Sequence, residues 1–340
     1  MAHRFLMKQV AQQAGVSLAT VDRVFHQRPG VRRQTRLRVE QALHELTQQE
    51  QVLGLKGRRF IFDLVMETPR RFSDAVTAAL ESQLNSLQPA VVRVRYHLAE
   101  QWSETALLNT LNRLAKQGSQ GLMLKVPNTE PLNDMVRRLR GQGVPVVTLV
   151  TDLDPDSRDA YIGLDNIRAG ATAAYLTDQW ISAEVPLHAL ISVSSLRFHG
   201  EEQRELGFIE ALNIRRPEAK ITRLHSGAGL YNETFIAIKE QLAAVPDINA
   251  VYSVGGANQA ILDAFDSAAR GIQSFIGHDL DRDNLTLLRQ ERLSAVLYHD
   301  LNIDMRFACE QLLKLQGIRL PQAMQKPQQL QVITPLNIPI

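Results

Sequence analysis

A single cysteine, Cys309, stands in 340 residues, so no internal disulfide can form. No Cys-x-x-Cys or His/Cys cluster offers a structural zinc site, and a reducing cytoplasm fits that scarcity. No apolar run approaches the roughly 18–20 residues that a membrane-spanning helix needs. The start, Met1 to Lys8, holds only Phe5-Leu6-Met7 before a polar stretch, too short for a signal-peptide core, so neither secretion nor a membrane partner is expected. A Walker loop, a Gly-x-Ser-x-Gly elbow and a two-carboxylate motif are also missing. These absences argue against an enzyme, although scattered acids could still converge in space. No catalytic residue, metal ligand or cofactor is assigned. The end, Pro335 to Ile340, shows no heptads, which leaves a homodimer as the default assembly.

With 44% apolar and 22% charged residues, the chain suits two or three domains with a sizeable core, and disorder, collagen and coiled coil are excluded for most of it. Charge is unevenly spread. Residues 1–58 carry ten basic side chains against four acidic ones, +6, and the remainder carries 28 against 32, or −4. A basic head on a mildly acidic body points to a polyanion partner for the head alone.

The head reads as three helices. Met7, Val10, Ala11 and Ala14 recur at helical spacing and stop at Gly15. Ser17 offers an N-cap for a second helix from Leu18 to about His26, which buries Val21 and Val24 and turns Leu18, Ala19, Asp22 and Arg23 outward. After Pro29-Gly30, a third helix from about Arg33 to Thr47 is expected to bury Leu37, Val39, Leu43 and Leu46. Two helices joined by a glycine turn form a helix-turn-helix, whose second helix enters the major groove of double-stranded DNA.

The run Val10 to Val24, followed by Pro29-Gly30-Val31 and Thr35 to Val39, resembles the N-terminal signature of the LacI/GalR family of transcriptional regulators, without gaps through about Leu46. By position, the resemblance implies phosphate contacts for Ser17 and Thr20, base reading by Leu18, Ala19 and Arg23, and further backbone contacts from His26, Arg33 and Thr35. Arg23 can donate two hydrogen bonds to a guanine edge, whereas Leu18 and Ala19 offer only apolar contact. Asp22 departs from the small hydroxyl residue common in the family. Its carboxylate either solvates the helix surface, pairs with Arg23 or faces a cytosine amino group. Members of the family usually continue into a hinge helix that inserts a leucine into the minor groove. Here the connection from Gln48 to Gly57 lacks the usual proline and is shorter by roughly one turn. Leu53 or Leu55 stands as the wedge in a helix that forms only on DNA, with a flexible tether as the alternative.

From Arg59 onward strands and helices alternate. Apolar runs suit buried strands at 60–66, 91–98, 121–126, 145–153, 187–193, 250–254, 272–277, 293–298 and 330–334, with amphipathic helical stretches between them. That alternation predicts an α/β fold of parallel sheets covered on both faces, split into two sheets of about five strands or fewer. The resemblance implies the same: a two-lobed, doubly wound effector domain like a type I periplasmic binding protein. The expected division is a helix-turn-helix head over 1–48, a linker over 49–58 and an effector domain over 59–340. Its lobes part near 152–166, and the chain returns to the first lobe near 295–325.

Such a fold binds its ligand between the lobes, at the carboxyl ends of strands. Phe72 resembles an aromatic that packs on a sugar face, and Arg204 matches the ligand-clamping arginine of sugar-binding relatives. Asp152, Asn258, Asp279 and His299 follow strands and complete the set, with Arg197 as a weaker candidate. Carboxylate, amide and guanidinium groups converging on one cleft suit a polyol, whose hydroxyls donate and accept. Each residue also has a plainer use: lobe core for Phe72, an ion pair for Arg204, turns or caps for Asn258 and Asp279. Asp152 shares its loop with Asp154 and Asp156 and has solvation as its plainer use, and His299 has a bond within the fold. The stretch His225 to Gly229 matches no phosphate motif and reads as a loop. The expected function is a cytoplasmic, sugar-responsive repressor that binds an inverted-repeat operator as a dimer. A solute-binding protein or an enzyme on the same fold is the alternative, and turnover of the ligand would discriminate them.

Overall fold

The computed structural model describes residues 5–55, 58–318, 320 and 329–339. The head comprises α1 (Met7–Ala14), α2 (Leu18–Phe25) and α3 (Arg33–Leu55). Gly15 closes α1 with φ +60, a conformation that a side chain would strain, and Ser17 Oγ caps α2 by accepting from the Thr20 amide at 3.2 Å. Val10, Ala11, Ala14, Val21, Val39 and Ala42 form the core, with Val24, Leu43 and Leu46 packed against it. Leu37, expected inside, is exposed: the inward stripe of α3 is 39, 42, 43 and 46, and position 37 falls about 200° from 39. Its neighbour Arg38 instead donates to the carbonyl oxygens of Ala14 and Gly15. Helix α3 continues well past Thr47, so positions 49–55 are its last turns rather than a separate segment. Those positions hold no proline, and Gly54 sits in the final turn, where glycine costs little. The side chains of Leu53 and Leu55 lie outside the described residues.

In the first lobe, β1 (Arg59–Glu67), β2 (Val91–Ala99), β3 (Leu122–Lys125), β4 (Val146–Leu149) and β5 (Ala160–Ile162) alternate with α4 (Arg70–Gln83), α5 (Glu104–Lys116) and α6 (Glu130–Gly141). Their sheet is parallel throughout, in the order β2-β1-β3-β4-β5. The polar loop 152–159 is internal to this lobe, because β5 pairs with β4 beyond it.

The second lobe takes α7 (Asn166–Trp180), β6 (His188–Val193), α8 (His199–Arg215), β7 (Lys220–His225), α9 (Tyr231–Ala244), β8 (Ala250–Ser253), α10 (Asn258–Ser267), β9 (Ser274–His278), α11 (Arg282–Arg289) and β10 (Ala295–Tyr298). Then α12 (Leu301–Leu315) packs Met305, Ala308, Cys309, Leu312 and Leu313 into the first-lobe core. The last strand, β11 (Gln331–Ile333), returns antiparallel to β10, giving the order β11-β10-β9-β8-β6-β7. Part of the expected return over 295–325 lies outside the described residues.

Doubly wound sheets therefore appear as the alternation predicts, but they hold five and six strands rather than nine in all. The two added strands lie at sheet edges: β5 has three residues, and β7 mixes Ile221 and Leu224 with charged neighbours that face water. In both sheets the strand order reverses beside the first strand of the lobe, β1 and β6, which opens a crevice at their carboxyl ends.

Candidate functional site

The two crevices face each other across a cleft of about 270 Å³. The first lobe contributes Glu67 at the end of β1 with Thr68, Pro69, Arg71 and Phe72 beyond it, Glu100 and Gln101 after β2, Lys125 at the end of β3, and Val150 and Thr151 after β4. The second contributes Ser194 to Arg204 in part, the turn Val254 to Gly256, and His278, Asp279 and Asp281. Val150 and Asp279 both hold positive φ, +65 and +66, strain of a kind that concentrates at binding sites.

Polar bonds cross the cleft between lobes. Arg71 Nε meets Asp281 Oδ2 at 3.1 Å, and its Nη1 donates to the Gly229 carbonyl at 2.8 Å. Arg197 Nη1 reaches Glu67 Oε1 at 2.9 Å, and the Gly200 amide donates to Thr151 Oγ1 at 3.0 Å. The loop after His225 thus supplies an anchor for closure, through Gly229, and Ala228 also lines the cleft.

Of the six ligand contacts expected from sequence, three line the cleft. Arg204 is 4% exposed, donates from Nε to Asn166 Oδ1 at 2.8 Å, and pairs with no carboxylate within 4 Å among the described residues. Asp279 lines the inner end, and Phe72 both lines the cleft and packs into the first-lobe core. The other three lie outside. Asp152 is consumed within its own loop, accepting from Arg158 Nε and Nη2 (3.0 and 2.7 Å) and from Thr148 Oγ1 (2.6 Å). Asn258 is buried behind the cleft, its Nδ2 donating to Asn284 Oδ1 at 2.7 Å. His299 is buried between two carboxylates, with Nδ1 bonded to Asp304 and Nε2 at 3.7 Å from Asp279, so it supports Asp279 rather than the ligand.

Several lining groups escaped the sequence reading. Lys125, 8% exposed, donates from Nζ to the Glu67 carbonyl at 3.1 Å and lies 4.3 Å over the Phe198 ring. Burial pulls its ammonium down to about 8, against the upward pull of Glu201 and Asp279. Burial likewise raises the Glu67 carboxyl above its ordinary value, with Arg197 opposing. A charged residue inside the otherwise apolar strand Leu122–Lys125 was the available signal for Lys125. His278 bonds Tyr252 Oη through Nε2 at 2.7 Å, and burial, then the charge of Arg204, holds it neutral.

Burial works against the His299 cation, but Asp279 and Asp304 outweigh it and push the imidazole up to about 9. The folded state therefore holds a proton that the unfolded chain releases near the ordinary value of 6.5, so this stabilisation is full below about 6.5 and fades toward 9. Depressed Lys125 acts in the opposite sense, and only above about 8. Between pH 6.5 and 8 the melting temperature of the wild type should fall relative to that of His299→Gln. Parallel curves for the two proteins would refute the assignment.

In the head, Ser17, Leu18, Ala19 and Arg23 are exposed, and the Arg23 side chain makes no hydrogen bond or ion pair among the described residues. Thr20 bonds Ser17 through its hydroxyl at 2.9 Å, while Arg33 and Thr35 open α3. Asp22 pairs with neither Arg23 nor bulk water alone. It accepts from Arg28 Nη1 at 2.9 Å, which offsets the charge of the one carboxylate of α2, and stands 2.9 Å from His26 Nδ1.

Among the described residues, no group of His, Cys, Asp and Glu could hold a metal ion, and no helix is long and apolar enough to cross a membrane. Residues 65–317 match the family of periplasmic binding protein domains, and residues 6–47 match bacterial regulatory proteins of the lacI family. No curated protein matches by sequence. Among solved structures, a glucose-galactose binding protein from Geobacillus stearothermophilus superimposes with TM-score 0.71 at 19% identity, over 83% of this chain and 100% of that one. An ABC transporter solute binding protein from Burkholderia graminis, in complex with D-arabinose, gives 0.71 at 17% over 82% and 96%. Another from Actinobacillus succinogenes, with bound D-allose, gives 0.69 at 14% over 82% and 98%. At such identities the likeness is one of fold.

Proposed function

Because the chain belongs to the LacI/GalR regulators, joining a lacI-family head to a periplasmic-binding-protein domain, we propose that it is a sugar-responsive repressor. As a homodimer in the cytoplasm it holds an inverted-repeat operator with two heads, and a sugar-like effector occupies the interlobe cleft. The carrying observation is the connection between the two sites. Helix α3 ends at Leu55, and β1 runs from Arg59 to Glu67, whose side chain lines the cleft. A ligand that favours one lobe arrangement thereby acts on the strand that bears the head, and linkage requires it to prefer one state. Support for a sugar comes from the cleft's mixture of guanidinium, carboxylate and aromatic groups and from the ligands named for the similar folds. A binder of this kind returns its ligand unchanged, which separates it from an enzyme on the same fold.

Base reading is assigned chiefly to Arg23, with Leu18 and Ala19 offering apolar contact. Selection of bound sites from a random DNA pool by the full-length protein should enrich a near-palindrome. Arg23→Ala should lose it or relax one base position, an effect of ~1–3 kcal/mol for a bidentate guanine contact. If folded, dimeric protein enriches no site, the regulator reading falls.

A further inference from the structure

We propose that the cleft's ligand is an acidic sugar derivative, one end of which carries an anionic group held by Arg204, Lys125 and His278. The proposal rests on the sugar-binding reading above and narrows it. Three residues that line the cleft carry hydrogen-bond donors left without an acceptor among the described residues. Arg204 uses only Nε among the described residues, leaving both terminal nitrogens. Lys125 spends one of its three N–H groups, on the Glu67 carbonyl. His278 has a buried Nδ1 with no hydrogen-bond partner.

The tautomer of His278 follows from its neighbour. Tyr252 is fully buried, and burial keeps its phenol protonated. Its hydroxyl has one hydrogen-bond partner among the described residues, His278 Nε2 at 2.7 Å. A buried hydroxyl hydrogen must be donated, so Nε2 is the acceptor and the ring proton sits on Nδ1, which has no hydrogen-bond partner in a residue that lines the cleft.

Carboxylates in the lining do not answer these donors. Asp281 is taken by Arg71 and by the Asn284 amide, and Glu67 Oε1 by Arg197. Glu201 accepts from the Ser194 amide and hydroxyl at 2.8 and 2.6 Å. Asp279 stands against His299 at 3.7 Å. Two buried cations, Arg204 and Lys125, remain without a carboxylate within 4 Å among the described residues, an arrangement that is costly unless an anion arrives. Acceptors are left for the ligand's hydroxyls at Asp279 and at Glu67 Oε2, which is buried without a hydrogen-bond partner. Carboxylate and phosphate share the required chemistry.

The test is calorimetric titration of the full-length wild type with aldoses and with the matching aldonates, uronates and sugar phosphates of the gluco, galacto, xylo and arabino series. At least one acid should bind tenfold or more tighter than its neutral parent. The carboxylate and phosphate arms identify the anion. Lys125→Met should lower the ratio of acid to parent affinity tenfold or more. Because acid preference is read on the wild type, a variant that fails to fold does not decide the outcome. Neutral sugars binding as tightly as their acids would overturn the proposal and leave the sugar reading standing. If folded protein binds neither class, both fall.

Discussion

Gly170→Ala is expected to destabilise the protein by ~1–3 kcal/mol or more and to weaken ligand binding at the same time. Helices α7 and α8 cross in backbone contact. A Cβ at Gly170 would lie 2.0 Å from the carbonyl oxygen of Arg204 and 2.7 Å from the Phe208 amide nitrogen. Gly207 on α8 mirrors it, with a Cβ position 2.1 Å from the Ile167 carbonyl oxygen. Backbone cannot rotate aside as a side chain would, so the helices must part. That movement opens the core formed by Ala169, Ala173, Ala174, Phe208 and Leu212. It also displaces Arg204 itself. Thermal melting and ligand titration of Gly170→Ala should therefore decline together. An alanine variant with unchanged melting temperature would mean that the helices do not pack this closely.

Arg204→Met is expected to weaken ligand binding by at least about a hundredfold, ~2.8 kcal/mol, the scale of removing one partner from a buried charged contact. Methionine fills a similar volume but removes every donor, leaving Asn166 Oδ1 without the bond it accepts from Nε. A merely structural arginine would lower stability and leave the affinity of the folded fraction intact. Calorimetry on protein verified as folded distinguishes the two. A loss under threefold would remove Arg204 from the site.

The head was legible in the sequence because its core is local: Gly15, the Ser17 cap and the Val10, Ala11, Ala14 and Val21 spacing each fix an element within a few residues. Leu37 misled because apolar content alone does not place a residue on the inward stripe of a long helix. In the body, the central strands are continuous apolar runs and were visible, whereas the edge strands β5 and β7 were not. Asp279, just past the end of β9, could be named from topology, and Arg204, on α8, from the family resemblance. Whether a polar side chain is already consumed could not, since Asp152 and Arg158 close on each other only in the folded loop. Arg71 and Asp281 meet across 210 residues, a contact that no local pattern encodes. Lys125 was passed over because it closes an apolar strand that reads as core, although its charge there was the available signal.

The proposed function requires the cleft and the head to be coupled. Operator affinity should therefore be measured for the wild type with and without a sugar or sugar acid that saturates the cleft by calorimetry, on a site selected from the random pool. Allosteric coupling of ~1–3 kcal/mol predicts a change of about 5- to 150-fold. Arg204→Met at the same ligand concentration should show none. A ligand that fills the cleft of the wild type and leaves operator affinity unchanged would show that cleft and head act independently.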